Sequence, residues 1–251
     1  MIDHGDSASP RMSETESSAG AGAPAALEVR GVSRSFPIAH DRLEVLHDVS
    51  FQIDRGELVT IVGPSGSGKS TLLGIIAGLD NPSTGRVFID GIEITHMSEN
   101  ALAQVRNEKV GVVFQAFNLI PTLTALENVA VPLYVGRHPG APEERARTVL
   151  ELVGLDHRLT HKPNELSGGE QQRVAIARAL AADPAIVIMD EPTGNLDAAN
   201  SRNVLDLIQG LQARTGTTIV IATHDVTVAA SASRTIRLSD GSVVEDSRRS
   251  C

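Results

Sequence analysis

Residues 58–79 read LVTIVGPSGSGKSTLLGIIAGL, and this stretch restricts the fold more than any other. A strand-length apolar run leads into Gly63-Pro64-Ser65-Gly66-Ser67-Gly68-Lys69-Ser70-Thr71, which fits G-x-x-x-x-G-K-[ST], and a helical pattern follows. Strand, glycine-rich loop and helix start, in that order, aim backbone N–H groups and the positive helix end at one point. That arrangement suits a phosphate group. Lys69 would reach the β- and γ-phosphates of a nucleotide as a point charge, and the Ser70 hydroxyl would meet Mg2+. The plain alternative is a glycine-rich turn that holds nothing, and the flanking strand and helix argue against it.

A strand as apolar as LVTIV needs cover on both faces. Similar short runs recur at 110–114 (VGVVF), 185–189 (AIVIM) and 218–222 (TIVIA), separated by helical stretches. They predict an α/β fold with a buried parallel sheet. With 2 % aromatic residues and no Trp, its core must be Val, Ile, Leu and Ala. LEVRGVSRSF (27–36), VSFQI (49–53) and GRVFIDGIEI (85–94) instead alternate like half-buried strands. No strong strand signal falls between Ala116 and Glu165, while APEERARTVLELVGL (141–155) has helical spacing. This predicts a helical insert over about residues 116–170. Residues 1–26 are rich in Ser, Ala, Gly and Pro and read as a disordered tail, which leaves 27–247 as the folded domain.

Several classes are disfavoured. No apolar run approaches the ~20 residues needed to cross a bilayer, so any membrane span must come from a partner. There is no basic-then-apolar leader pattern. The lone cysteine, Cys251, can form no internal disulfide and fits a reducing cytosol. A net charge of −9 argues against nucleic acid as a partner.

A phosphate loop needs an acidic metal partner. AIVIMDEPT supplies one at the end of an apolar run: Asp190 to hold Mg2+ and Glu191, one residue on, to take a proton from attacking water. Alone, the pair would read as two solvated acids ending a strand. Gln115 and His224 also follow apolar runs, and in a parallel sheet such ends line the ligand crevice. Gly63, Gln115, Asp190 and His224 are therefore expected around one nucleotide. A surface or helix-capping role is the plainer use of His224 taken by itself. His157 and His161 stand four apart but lack the other ligands of a zinc site, and read as exposed loop histidines.

LSGGEQQR (166–173) presents a second helix start. Ser167 as N-cap and Glu170 three residues later form a capping box. Gly168 and Gly169 in the first turn are unexplained by that, since interior glycine costs about 1 kcal/mol against alanine. Close backbone approach by something is expected there.

GPSGSGKST, Gln115, LSGGEQQR, IVIMDEPT, GNLD (194–197) and ATHD (222–225), in this order, resemble the ATP-binding cassette ATPases over about residues 27–245. The resemblance implies a RecA-like P-loop NTPase core with parallel sheet, an antiparallel β subdomain and a helical insert. It implies ATP hydrolysis with Mg2+ held by Ser70, Gln115 and Asp190, and catalysis by Glu191, His224 and Gln115. In that family two cassettes pair head to tail, so Ser167, Gly168, Gly169 and Glu170 would meet the γ-phosphate on a second copy. Asp197 would couple the two sites. Phe36 matches the family's adenine-stacking aromatic, with a plain buried strand-end Phe as the alternative.

The resemblance to a transporter subunit is favoured over chromosome and recombination cassettes, because only about a hundred residues without sustained heptads separate the two phosphate motifs, and over translation cassettes, which carry two cassettes per chain where this length holds one. FQAFNLIPTLTALENV (114–129) is similar to the ATPases of macrolide export, lipoprotein release and cell division. That similarity implies a transmembrane permease partner and a cytoplasmic, peripheral position on the inner face of the cell membrane. Phe117, Leu119, Ile120 and Leu123 would meet the permease or pack within the insert. The permease would export a solute, or only transmit force as part of an envelope complex.

Overall fold

The computed structural model describes residues 24–38, 41–136 and 138–248. Residues 1–23 of the proposed tail (1–26) and Cys251 lie outside the described residues. Of the stretch assigned to the tail, Pro24–Ala26 is placed: Ala26 is fully buried and its carbonyl accepts from the Asp90 amide.

Two sheets form the frame. β1 (Leu27–Ile38) and β2 (Asp41–Ile53) make a long antiparallel pair, extended by β4 (Thr84–Ile89) and β5 (Ile92–Glu93) in the order β2-β1-β4-β5. The sequence suggested one strand over 85–94. It is broken at Asp90-Gly91, both with positive φ, which turns the chain back on itself. The second sheet runs β10 (Ser242–Arg248), β9 (Arg234–Ser239), β3 (Leu58–Val62), β8 (Thr218–Thr223), β7 (Ile186–Asp190), β6 (Val110–Val113). Its strands from β9 to β6 are parallel, as the apolar runs predict, and β10 closes the edge as an antiparallel hairpin partner of β9.

Alternation along the central strands explains why they are apolar throughout. Val187, Met189, Ile219 and Ile221 face a core shared with the helices of the insert. Ile186, Ile188, Val220 and Ala222 face the opposite core, where α1 (Lys69–Ile76) and the antiparallel sheet pack. A strand buried on both sides leaves little room for a polar residue before its end, and the exception, Thr60 in the middle of β3, is fully buried with its hydroxyl bonded to Thr235 at 3.1 Å. The polar ends are therefore where the chemistry collects.

The helical insert contains α3 (Ala125–Val135), α4 (Pro142–Leu152) and two 3₁₀ turns, and leads into α5 (Gly168–Leu180). α2 (Glu99–Lys109), α6 (Ala198–Thr215) and α7 (Val226–Ala230) complete the chain. Arg178 of α5 donates to the carbonyls of Phe117 and Asn118 at 2.9 and 2.6 Å. Those two residues have positive φ, so the arginine fastens the strained loop after β6 to the helix that begins at Ser167.

Candidate active site

β3 delivers the chain into the phosphate loop, and α1 leaves it with Gly68 as N-cap at φ 96°. No side chain caps this helix and no acid occupies its first turn, so its leading N–H groups and positive end stay open to an anion. Gly63 and Gly68 are dictated by space, and Gly66 by its backbone angle of φ 82°. A Cβ on Gly63 would collide with the Leu238 carbonyl, and one on Gly68 would lie 2.8 Å from the Val45 carbonyl oxygen. Lys69 is largely buried, and its ammonium donates to the carbonyls of Gly63 (2.8 Å) and Pro64 (3.0 Å). A cleft of about 330 Å³ opens here, lined by Val45, Ser65, Gly66, Gly68, Lys69, Ser70, Thr71 and Glu191.

Asp190 ends β7 beside this loop. Burial pushes its carboxyl above the ordinary aspartate range, while a hydrogen bond from Ser70 and the charge of Lys69 pull the other way. Two adjacent oxygen donors, one anionic, are the kind of set that suits Mg2+. Glu191 follows at φ 46°, a turn that swings its side chain out of line with the strand. Its carboxylate accepts from the Thr223 hydroxyl (3.2 Å), the His224 amide (3.2 Å) and His224 Nδ1 (2.7 Å). His224 thus meets Glu191 directly.

Gln115 is not a wall of the phosphate cleft. Its side-chain Nε2 donates to Asn195 Oδ1 at 3.4 Å, its main-chain carbonyl accepts from Asn195 Nδ2 at 2.9 Å, and it lines a neighbouring cavity of about 550 Å³ with Glu191, Thr193, Gly194 and His224. Glu191 is shared by both spaces. Phe36 lies on β1 with the Arg34 guanidinium 4.5 Å from its ring centroid, and Val45 of the neighbouring strand lines the phosphate cleft instead.

At the second helix start, Ser167 caps α5. Its Oγ accepts from the Glu170 amide at 3.3 Å, and the Ser167 amide donates to Glu170 at 2.8 Å. Gly169 answers the question its position raised: a Cβ there would lie 2.8 Å from Asn200 Oδ1. Asn200 in turn donates to Asp197 at 2.7 Å, and Asp197 caps α6 through the amides of Ala199 and Asn200. These bonds, led by the Asn200 amide, hold the Asp197 carboxyl below its usual range. No residue from 167–170 lines the phosphate cleft of the same chain.

Thr223 and Asn200 are site residues that sequence reasoning missed. Thr223 was legible as the polar residue ending TIVIAT, but Asn200 carries no motif signal. Among the described residues no cluster of potential metal ligands involves His157 or His161.

The ABC transporter family profile matches residues 46–194. The chain is 48 % identical over 224 residues to an uncharacterized ABC transporter ATP-binding protein of Thermotoga maritima, covering 89 % of this chain and 95 % of that one. It is 46 % identical over 226 residues to the macrolide export ATP-binding/permease protein MacB of a Shewanella species, spanning 90 % of this chain but only 35 % of MacB. Among solved structures it resembles the ATP-binding cassette MJ0796, seen as a dimer in a post-hydrolysis state with ADP and Pi. That match has 42 % identity and a TM-score of 0.82, and covers 90 % of this chain and 99 % of the other. CbiO1 of Clostridium perfringens, part of an ABC transporter complex, matches at 28 % identity with a TM-score of 0.79, covering 90 % of this chain and 89 % of the other. With a phosphate loop, adjacent acids and a separate helix start at LSGGEQQR, the signature helix, on this frame, the chain belongs to the ABC transporter family as an ATP-binding, ATP-hydrolysing subunit.

Proposed function

We propose that two copies of this chain pair head to tail around two ATP molecules and drive an exporter-type transmembrane permease. The observation that carries the reading is the separation of the two helix starts. The phosphate loop and the Ser167–Glu170 turn each suit an anion, yet within one chain they do not share a cleft. A second copy supplies the missing wall. The dimeric MJ0796 cassette supports this arrangement.

In this reading Lys69 leaves the carbonyls of Gly63 and Pro64 to meet the terminal phosphates. Ser70 and Asp190 would hold Mg2+, which would screen phosphate charge, and Gln115 would join them on giving up its side-chain bond to Asn195. Glu191, oriented by His224, accepts the proton of the attacking water. Differential affinity of the closed pair for ATP and ADP supplies the work.

Docking of the permease is supported by a groove of about 400 Å³ with Leu79, Val110, Phe114, Val131 and Val135 in its walls and Arg178 beside them. Leu79 and Val135 are exposed. Of the four loop residues put forward for this contact, Phe117 and Leu119 pack against the core, whereas Ile120 is exposed. Among the described residues no helix is long and apolar enough to cross a membrane, consistent with a span supplied by the permease and a place on the membrane's cytoplasmic face. Similarity to MacB favours export. A permease that only transmits force is the second reading, separated by solute uptake into vesicles carrying the reconstituted complex.

The testing experiment is light scattering of Glu191→Gln with MgATP. A dimer that reverts to monomer on removal of nucleotide is expected, and a monomer under saturating MgATP sinks the proposal.

A further inference from the structure

The signature helix start carries an electrostatic problem. Glu170 is the acid in the first turn of α5, and its carboxylate stands at the very turn that is to receive a nucleotide phosphate. Hydrogen bonds from the Ser167 amide and hydroxyl hold it below the usual carboxylate range, so it is ionised at neutral pH. An uncompensated anion there would cancel the positive end of the helix and repel an incoming phosphate.

Arg158 removes that obstacle. It ends the 3₁₀ turn Asp156–Arg158 in the helical insert, and its Nε donates to Glu170 Oε1 at 3.0 Å while Glu170 Oε2 serves Ser167 at 2.8 Å. The carboxylate is thereby divided, one oxygen to the cap and one to the cation. The guanidinium is aimed from behind as well. Its Nη1 lies 3.1 Å from His161 Nε2, and since arginine only donates, the imidazole accepts. His161 is itself tied down, with its amide donating to the Arg158 carbonyl at 3.0 Å and its carbonyl accepting from Ala125 at 2.8 Å. Glu170 is 14 % exposed and Arg158 36 %, so the pair is only partly screened by water.

We propose that Arg158 is a positioning residue for the signature turn, neutralising Glu170 so that the start of α5 can receive the γ-phosphate of ATP bound to a second copy. The proposal rests on the head-to-tail reading above. It adds that the insert, through Arg158, sets how strongly the two copies close on ATP.

The test is ATP-driven dimerisation of the full chain in the Glu191→Gln background, followed by sedimentation with MgATP. Arg158→Ala is expected to raise the concentration for half-dimerisation roughly tenfold, as loss of a partly buried compensating charge does. Adding Glu170→Gln, which keeps the capping box but removes the charge, is expected to restore it to within about twofold of the parent. A double variant as impaired as Arg158→Ala would show that the arginine only props the fold, and would overturn the proposal. Ser167→Arg, which blocks the turn, separates the two readings. If it abolishes the dimer while Arg158→Ala does not weaken it, the role of Arg158 is wrong and the head-to-tail reading stands. If Ser167→Arg leaves the dimer intact, the head-to-tail reading fails and the proposal with it.

Discussion

Thr223 is almost fully buried, and its hydroxyl lies between two duties: it donates to Glu191 at 3.2 Å and accepts from the Asp225 amide at 3.0 Å. Thr223→Val keeps the shape and removes the bond, so Glu191 should lose orientation without any loss of nucleotide contacts. We expect kcat to fall about three- to tenfold with KM for ATP little changed, by the usual size of a positioning effect. Thr223→Ser should recover most of it; steady-state ATPase assays of both variants decide. Gly169 gives a second test. Alanine there meets the movable end of Asn200, and because alanine is favoured over glycine inside a helix by up to about 1 kcal/mol, the swing of Asn200 should leave overall stability little changed. That swing breaks the Asn200–Asp197 bond, and MgATP-driven dimerisation should be lost at concentrations where the parent pairs, as sedimentation would show. The need for glycine at 169 was legible in the sequence, because a glycine in a capped first turn has no local reason. The identity of the approaching group was not, because Asn200 lies on another helix.

Among the elements, the loop from Phe117 to Thr124 connects the nucleotide side of β6 to the helical insert. It is held by Asn128 of α3, a fully buried residue with no charge and no motif to mark it. Asn128 Oδ1 accepts from the Ile120 amide at 2.7 Å, and its Nδ2 donates to the carbonyls of Ile120, Leu123 and Thr124 at 3.0–3.1 Å. Asn128→Leu would strand the Ile120 amide and the Leu123 carbonyl, while the carbonyls of Ile120 and Thr124 keep the backbone amides of Leu123 and Asn128, at an expected cost of about 2–3 kcal/mol in urea unfolding. Thr124→Ala removes only the N-cap of α3 and should cost about 1 kcal/mol. If the two variants cost the same, Asn128 does not organise the loop. In the sequence, LENVAV reads as part of a helical stretch. Its place in the predicted insert cannot say that the partners of Asn128 are backbone groups of the preceding loop. The second hairpin, β9–β10, went unread although Asp240-Gly241 is a turn signal.

At the scale of the whole molecule, the sheets are joined at one edge by charge. Arg234, 7 % exposed, donates to both oxygens of Asp246 at 2.7–2.8 Å and to Glu57 at 2.8 Å, so the β2–β3 turn, β9 and β10 meet at one guanidinium. Arg234→Leu leaves Asp246 without its bonded cation and Glu57 with only the exposed Arg248 at 3.2 Å, and should cost about 3 kcal/mol in urea unfolding. The hydrogen bonds from Arg234 hold Asp246 below the usual aspartate value. For a depressed carboxyl, the stabilisation is complete above its unfolded pKa, near 4, and disappears as pH falls through the lower folded value. Parent stability should therefore drop below about pH 4, and Arg234→Leu should lose less over the same window. Equal losses in denaturation at pH 7 and pH 3 for the two proteins would remove Asp246 from the acid response.

The sequence by itself determined the phosphate loop, the acids at the end of β7, the capped signature helix and the parallel character of the central sheet. Each is written in contiguous residues whose spacing and burial are enforced by local geometry: a strand that must be apolar on both faces, a loop that admits only glycine, a helix that must be capped. Tertiary structure alone decided that Gln115 turns toward Asn195, that Val45 lines the phosphate cleft, that Asn200 needs Gly169, and that Arg158 compensates Glu170. It also decided that the two anion-ready helix starts stand apart within one chain. These outcomes depend on which distant segments the packed cores bring together, and no local spacing rule contains that distance.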